Sequence, residues 1–84
     1  MDVLGRDSIR EGYRVATGGG AGRIVGLIPD HVISQTVALT GGHGHQTAYE
    51  WLAARSRTIE QSLQSLRDGH RPRPPFDRME LVEE

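Results

Sequence analysis

Cysteine is missing from this chain of 84 residues, and so are lysine and asparagine. Without cysteine there is no disulfide, no thiolate zinc site and no cysteine nucleophile. That absence fits a reducing compartment. Without lysine, all ten basic residues are arginine. Lysine and asparagine both have A-rich codons, so a GC-rich bacterial or phage genome is the simple explanation. The arginines are scattered rather than gathered in one motif, which argues against selection for bidentate phosphate or carboxylate recognition. Aromatic residues are few: one Trp, two Tyr and one Phe. The core is therefore small, and a single domain of this size is marginal alone. Neither sign of charge dominates, the formal net charge being −1. No apolar run approaches a membrane span, and Met1 to Asp7 lacks the apolar core of a secretory signal. The expectation is a soluble cytoplasmic protein with one domain over 1–84.

Glycine, by contrast, is abundant and clustered. Two β-patterned runs, 12–17 and 22–28, flank Gly18, Gly19, Gly20 and Gly22. Glycine reaches positive φ without a Cβ clash, so the arrangement predicts a β-hairpin. Residues 1–8 read as a flexible N-terminal arm, and 8–12 as a turn into the first strand. The run 31–40 is ambiguous. Pro29 suits the start of a helix and Ile33 and Val37 are four apart, but Val32, Ile33, Thr36, Val37 and Thr40 are β-branched. A strand is the expectation, giving a meander of three. Gly41 to Gln46 read as a loop. Thr47 and Glu50 then form a T-x-x-E capping box. Ala48, Leu52, Ile59, Leu63 and Leu66 recur at helical spacing, and Gly69 suits the left-handed stop. One long helix over 48–68 follows from this. Residues 70–75, rich in Pro and Arg, read as a stiff connector. Met79 and Leu81 alternate with charges, which predicts a final strand. The fold class is α+β: a small antiparallel β-meander packed against one long helix, then a last strand, in the order β-β-β-α-β.

The stretch Ile9-Arg10-Glu11-Gly12-Tyr13-Arg14-Val15, followed by Gly19-Gly20-Ala21-Gly22-Arg23-Ile24-Val25-Gly26, resembles the opening hairpin of SH3-like barrel modules, including the KOW type. The resemblance covers residues 9–40 and implies a nucleic-acid contact role. The helix-and-strand half is similar to several small bacterial families of unknown function and implies no activity.

Each site suggested by the residues has a plainer reading beside it. The Gly18–Gly22 loop could offer amides to a phosphate, with Thr17, Gly19 and Arg23 around it. A phosphate loop needs a Lys, a Ser or Thr, and a helix behind it, whereas Arg23-Ile24-Val25 leads into a strand. His43 and His45 could chelate a metal with His31 or Glu50 as third ligand. His70 lies beyond a helix about 30 Å long and adds nothing to that set. No metal or other cofactor is therefore assigned, and His43 and His45 remain the residues that would hold one. Tyr49 and Trp51 border the apolar stripe and Arg55 lies on it, which makes these three the candidates for a protein interface. Arg67, Arg71, Arg73 and Arg78, with His70, form a mildly basic patch diluted by Asp68 and Asp77; these arginines are the nucleic-acid candidates. No arrangement of nucleophile and base can be placed, so no enzyme is expected.

The function expected from the sequence is a small non-catalytic protein-binding or regulatory module. Its partner is another protein or a second copy in a homodimer, with no membrane. Phage or mobile-element inhibitors of host complexes, such as anti-CRISPR proteins, look like this in size and in their lack of a catalytic motif. A KOW-like nucleic-acid contact module is the first alternative, and a metal-binding protein using the Gly/His loop the second.

Overall fold

The computed structural model describes residues 1–18, 22–40 and 45–82, with the backbone alone for 36–40, 45 and 46. Four strands, β1 (Asp2–Asp7), β2 (Gly12–Thr17), β3 (Ile24–Pro29) and β4 (Glu80–Leu81), form an antiparallel sheet in that order. Three helices accompany it: α1 (Asp30–Thr40), α2 (His45–Ala54) and α3 (Ser56–Arg67). This is the expected α+β class, with three helices in place of one long one.

The central hairpin has the expected form. β2 and β3 pair in unbroken register from Gly12 opposite Pro29 to Thr17 opposite Ile24. Strand alternation puts Tyr13, Val15, Ile24 and Ile28 on the face that joins the core, with Val32, Ile33, Trp51, Leu52, Ile59 and Leu63 from the helices. α3 lies against β3, β2 and β4, while α1 packs on β3 and on α2. The approach of α3 depends on one missing side chain. A Cβ on Gly26 would collide with Leu63 Cδ2 and lie 3.2 Å from the Glu80 carbonyl oxygen. Glycine in mid-strand is thus the residue that lets helix and sheet close together.

Two expectations are corrected, and they exchange roles. Residues 31–40 belong to a helix, not a strand. Val32 and Ile33 are both buried, against β3 and α2. Adjacent residues can share one side of a helix but point to opposite faces of a strand, so burial overrides the β-branched propensity. The third position of the meander is taken from the other end of the chain: the supposed arm over 1–8 supplies β1. It pairs with β2 from Asp2 opposite Ala16 to Asp7 opposite Gly12, with an irregularity between Val3 and Gly5 that leaves Leu4 as an extra residue. The turn that follows is fastened by Asp7, whose Oδ1 accepts from the N–H groups of Ile9 at 3.1 Å and Arg10 at 3.0 Å. Glu11 there takes a left-handed φ of 54°, and its carbonyl accepts from the Asp30 N–H at 2.9 Å.

The expected helix 48–68 is broken at Arg55, which leaves helical geometry at φ −113° and ψ 17°. Its N–H bonds back to the Leu52 carbonyl at 3.2 Å, a three-residue reach that tightens the end of α2. A straight helix would have carried Arg55 into the core along the stripe between Leu52 and Ile59. The break keeps both apolar residues inside and half-exposes the arginine. Thr47 lies inside α2, which starts at His45, so the T-x-x-E pattern does not mark a helix start. The stop is as expected: Gly69 has φ +83°. Its N–H meets the Leu66 carbonyl at 3.1 Å and the His70 N–H meets that of Ser65 at 2.8 Å, the double closure that favours glycine here. Beyond it, Pro72, Phe76 and Met79 are buried and pin a strap to the core, with a 3-10 turn over Phe76–Arg78. The last strand is only Glu80–Leu81, paired to Gly26 and Leu27.

Candidate functional site

The charged side chains divide into two sets. Arg6 is held by Asp30: its Nη2 donates to Oδ2 at 2.5 Å and its Nε to the same oxygen at 3.2 Å. The carboxylate raises the guanidinium's pKa above its ordinary value, and so fixes the charge more firmly. This pair ties β1 to the first turn of α1. Tyr13 lies alongside, its ring edge-on to Tyr49 with centroids 5.7 Å apart. Burial, then the nearby Asp30 charge and Tyr49, push the Tyr13 phenol up. At the far end of β2, the Thr17 hydroxyl donates to Glu60 Oε2 at 2.8 Å and links sheet to α3. Thr17, one of the residues set beside a hypothetical phosphate, thus bonds a carboxylate. Gly19 is outside the described residues, and Arg23 is exposed.

The interface candidates are not on one surface. Tyr49 is 42% exposed, whereas Trp51 is 6% exposed and packs on Phe76 with ring centroids 5.8 Å apart. Arg55 lies over the outer face of the Trp51 ring, its Cζ 4.6 Å from the centroid, and donates to the Trp51 carbonyl at 3.4 Å. The Trp51 indole N–H has no acceptor among the described residues. Thus Trp51 and Arg55 form one stacked unit, and Tyr49 belongs to the Tyr13 side. Of the metal candidates, His43 lies outside the described residues and His45 is described only as the first backbone position of α2.

The second set of charges occupies 55–78. Arg55, Arg57, Arg67, Arg71, Arg73 and Arg78 stand there against Glu60, Asp68 and Asp77. Arg57, Arg67, Arg71, Arg73 and Arg78 are exposed, and among the described residues none of their guanidinium groups makes an ion pair or hydrogen bond. The strap gives two of them a shaped setting. Pro74 is a ridge between two clefts. The first, about 340 Å³, is walled by Pro72, Pro74 and Phe76, with Thr58 and Ser65 of α3 opposite and Arg73 at its edge. The second, about 350 Å³, lies between the strap and α1, with Gln35, His31, Asp77 and Arg78 around it. His31 and Asp77 both line it without a hydrogen bond between them. The turn is rigidly built: the Phe76 N–H bonds the Arg73 carbonyl at 3.0 Å and the Met79 N–H that of Phe76 at 3.1 Å.

Arg73 and Arg78, two of the nucleic-acid candidates, are therefore brought to either side of one ridge, while Arg67 and Arg71 line neither cleft. Arg57 was missed in the sequence; it lines an adjoining depression with Glu60, Gln61 and Gln64. The signal for it was regional: six of the ten arginines fall within 55–78. The clefts themselves had no sequence signal, because the residues lining them come from α1, α3 and the strap. Among the described residues no helix is long and apolar enough to cross a membrane. No protein-family model, no curated protein and no solved structure matches the chain.

Proposed function

We propose that the protein is a non-catalytic protein-binding module that meets its partner through the face formed by α3 and the proline strap. The observation that carries this reading is the set of exposed arginines with no carboxylate partner among the described residues, beside two clefts that share Pro74 as a ridge. An unpaired guanidinium at the surface is available for a charge-assisted bond to a partner at little desolvation cost. Strand addition is a poorer route to a partner. β1 carries an extra residue at Leu4 and charges at Asp2, Arg6 and Asp7, and β4 has two residues, features that blunt both sheet edges.

A nucleic-acid role draws on the same arginines but lacks its second requirement. Stacking of unpaired bases needs exposed rings. Phe76 and Trp51 are buried, and Tyr49, the exposed aromatic residue, stands beside Tyr13 rather than on the strap. The deciding experiment immobilises the chain, exposes it to nuclease-treated lysate of the source organism, and repeats the capture with Arg73→Glu/Arg78→Glu. The expected result is a protein retained by the wild type and lost by the variant. Capture from untreated lysate that disappears once the lysate is nuclease-treated, with no protein retained, sinks the reading.

A further inference from the structure

We infer that the segment this face accepts is an extended acidic peptide lying across Pro74, with an aliphatic side chain in the first cleft and carboxylates at Arg73 and Arg78; this rests on the protein-binding reading above. The first cleft has an apolar wall of Pro72, Pro74 and Phe76, with the polar side chains of Thr58, Gln61, Ser62 and Ser65 from α3 opposite. That combination suits one aliphatic side chain laid on the proline wall, with the polar wall left to bond the peptide backbone. Arg73 and Arg78 stand on the two sides of the ridge, so a chain crossing Pro74 passes both. Complementary charge selects acidic residues on each side. An extended chain repeats its side-chain direction every second residue, so a peptide that turns its aliphatic side chain to the cleft presents the residues two before and two after it on the same side. Asp77 lines the second cleft beside Arg78 and opposes a carboxylate there, which sets a limit on affinity.

The chain contains its own reporter. Trp51 is the one tryptophan, and its ring packs on Phe76, which walls the first cleft. The probe is the acetylated, amidated peptide Glu-Ser-Leu-Ser-Glu, followed by Trp51 emission and by calorimetry. Controls are the same peptide with Gln for Glu and a ten-nucleotide oligothymidylate. The expected result is saturable binding that weakens about threefold for Arg73→Ala or Arg78→Ala and about tenfold for both. Asp77→Asn should tighten it about twofold. Melts of each variant that match the wild type establish that folding is intact. Equal binding of the Gln peptide overturns the acidic preference. No response to the peptide, with a host protein still captured through Arg73 and Arg78, overturns this inference and leaves the protein-binding reading standing. Preferential binding of the oligonucleotide, with affinity falling steeply in salt, overturns both.

Discussion

In and around the sheet, Arg6 is gripped at two nitrogens by Asp30, and Arg14 and Arg23 each have an interacting neighbour. Across 55–78, Arg57, Arg67, Arg71, Arg73 and Arg78 have none among the described residues. The same side chain thus does two jobs. Where it is tied, it joins β1 to α1 and helps hold a strand that the local sequence does not favour strongly. Where it is untied, it adds nothing visible to the fold and leaves charge at the surface. The lesson is that composition and net charge describe this chain poorly. A net charge of −1 conceals a stretch, 55–78, in which six arginines stand against three carboxylates and five of the arginines make no ion pair or hydrogen bond through their guanidinium groups among the described residues.

Both regions depend on the close seat of α3 on β3, so the largest expected effect is there. Leu63 is fully buried, and Leu63→Ala should cost about 2–5 kcal/mol by lost burial and cavity formation. Gly26→Ala should cost about 1–3 kcal/mol by overpacking against Leu63. Because the two residues meet, the glycine change should cost less in the Leu63→Ala background. Urea denaturation of the four species measures this coupling; simple additivity would show that Gly26 does not set the helix distance.

Next in size is Gly69→Ala, expected to lower stability by about 1 kcal/mol because φ +83° is strained for an L side chain. An unchanged urea midpoint would mean that α3 ends elsewhere.

The sheet side has its own pH signature. The Tyr13 phenol is raised in the fold, chiefly by burial. Its contribution to stability is therefore full below the ordinary phenol value of 10.0 and is lost as pH rises from there through the raised one. Melting temperatures of the wild type should fall over that range more steeply than those of Tyr13→Phe. Parallel slopes would place the alkaline sensitivity elsewhere.

The smallest effects separate the two sets of arginines directly. Arg6→Ala should lower the urea midpoint, and the difference from the wild type should shrink in salt because the pair with Asp30 is solvent-exposed. Arg73→Ala should leave the midpoint unchanged. A destabilised Arg73→Ala beside an unaffected Arg6→Ala would reverse the comparison and with it the reason for placing the partner on the strap.

Much of the fold was legible locally. The hairpin over 12–17 and 24–29 could be read because glycines concentrate at its turn. The helical span up to Gly69 could be read because the spacing of Leu52, Ile59, Leu63 and Leu66 repeats. The break at Arg55 was not, although the polar residue on the stripe was noticed: a side chain can snorkel or a helix can kink, and only packing decides between them. The terminal strand was read too long, since Met79 goes into the core and the strand is Glu80 and Leu81, followed by one further bond from the Val82 N–H to the Val25 carbonyl at 2.9 Å. At the candidate site, Arg73 and Arg78 were singled out as charges but not as neighbours across a ridge.

By itself the sequence determined the class of fold, the central hairpin, the helix stop at Gly69, the shortage of aromatics, and the excess of arginine late in the chain. These are properties of short windows, set by glycine φ, side-chain period and composition. Tertiary structure alone decided that Asp2–Asp7 would be the edge strand and that Asp30–Thr40 would be a helix. It also decided which arginines would find carboxylates. Those outcomes turn on which surfaces are left to cover once β2 and β3 have paired: the free edge of β2 takes β1, and the apolar face of β3 takes Val32 and Ile33. No local propensity contains that competition, because it is settled by burial between residues far apart in the chain.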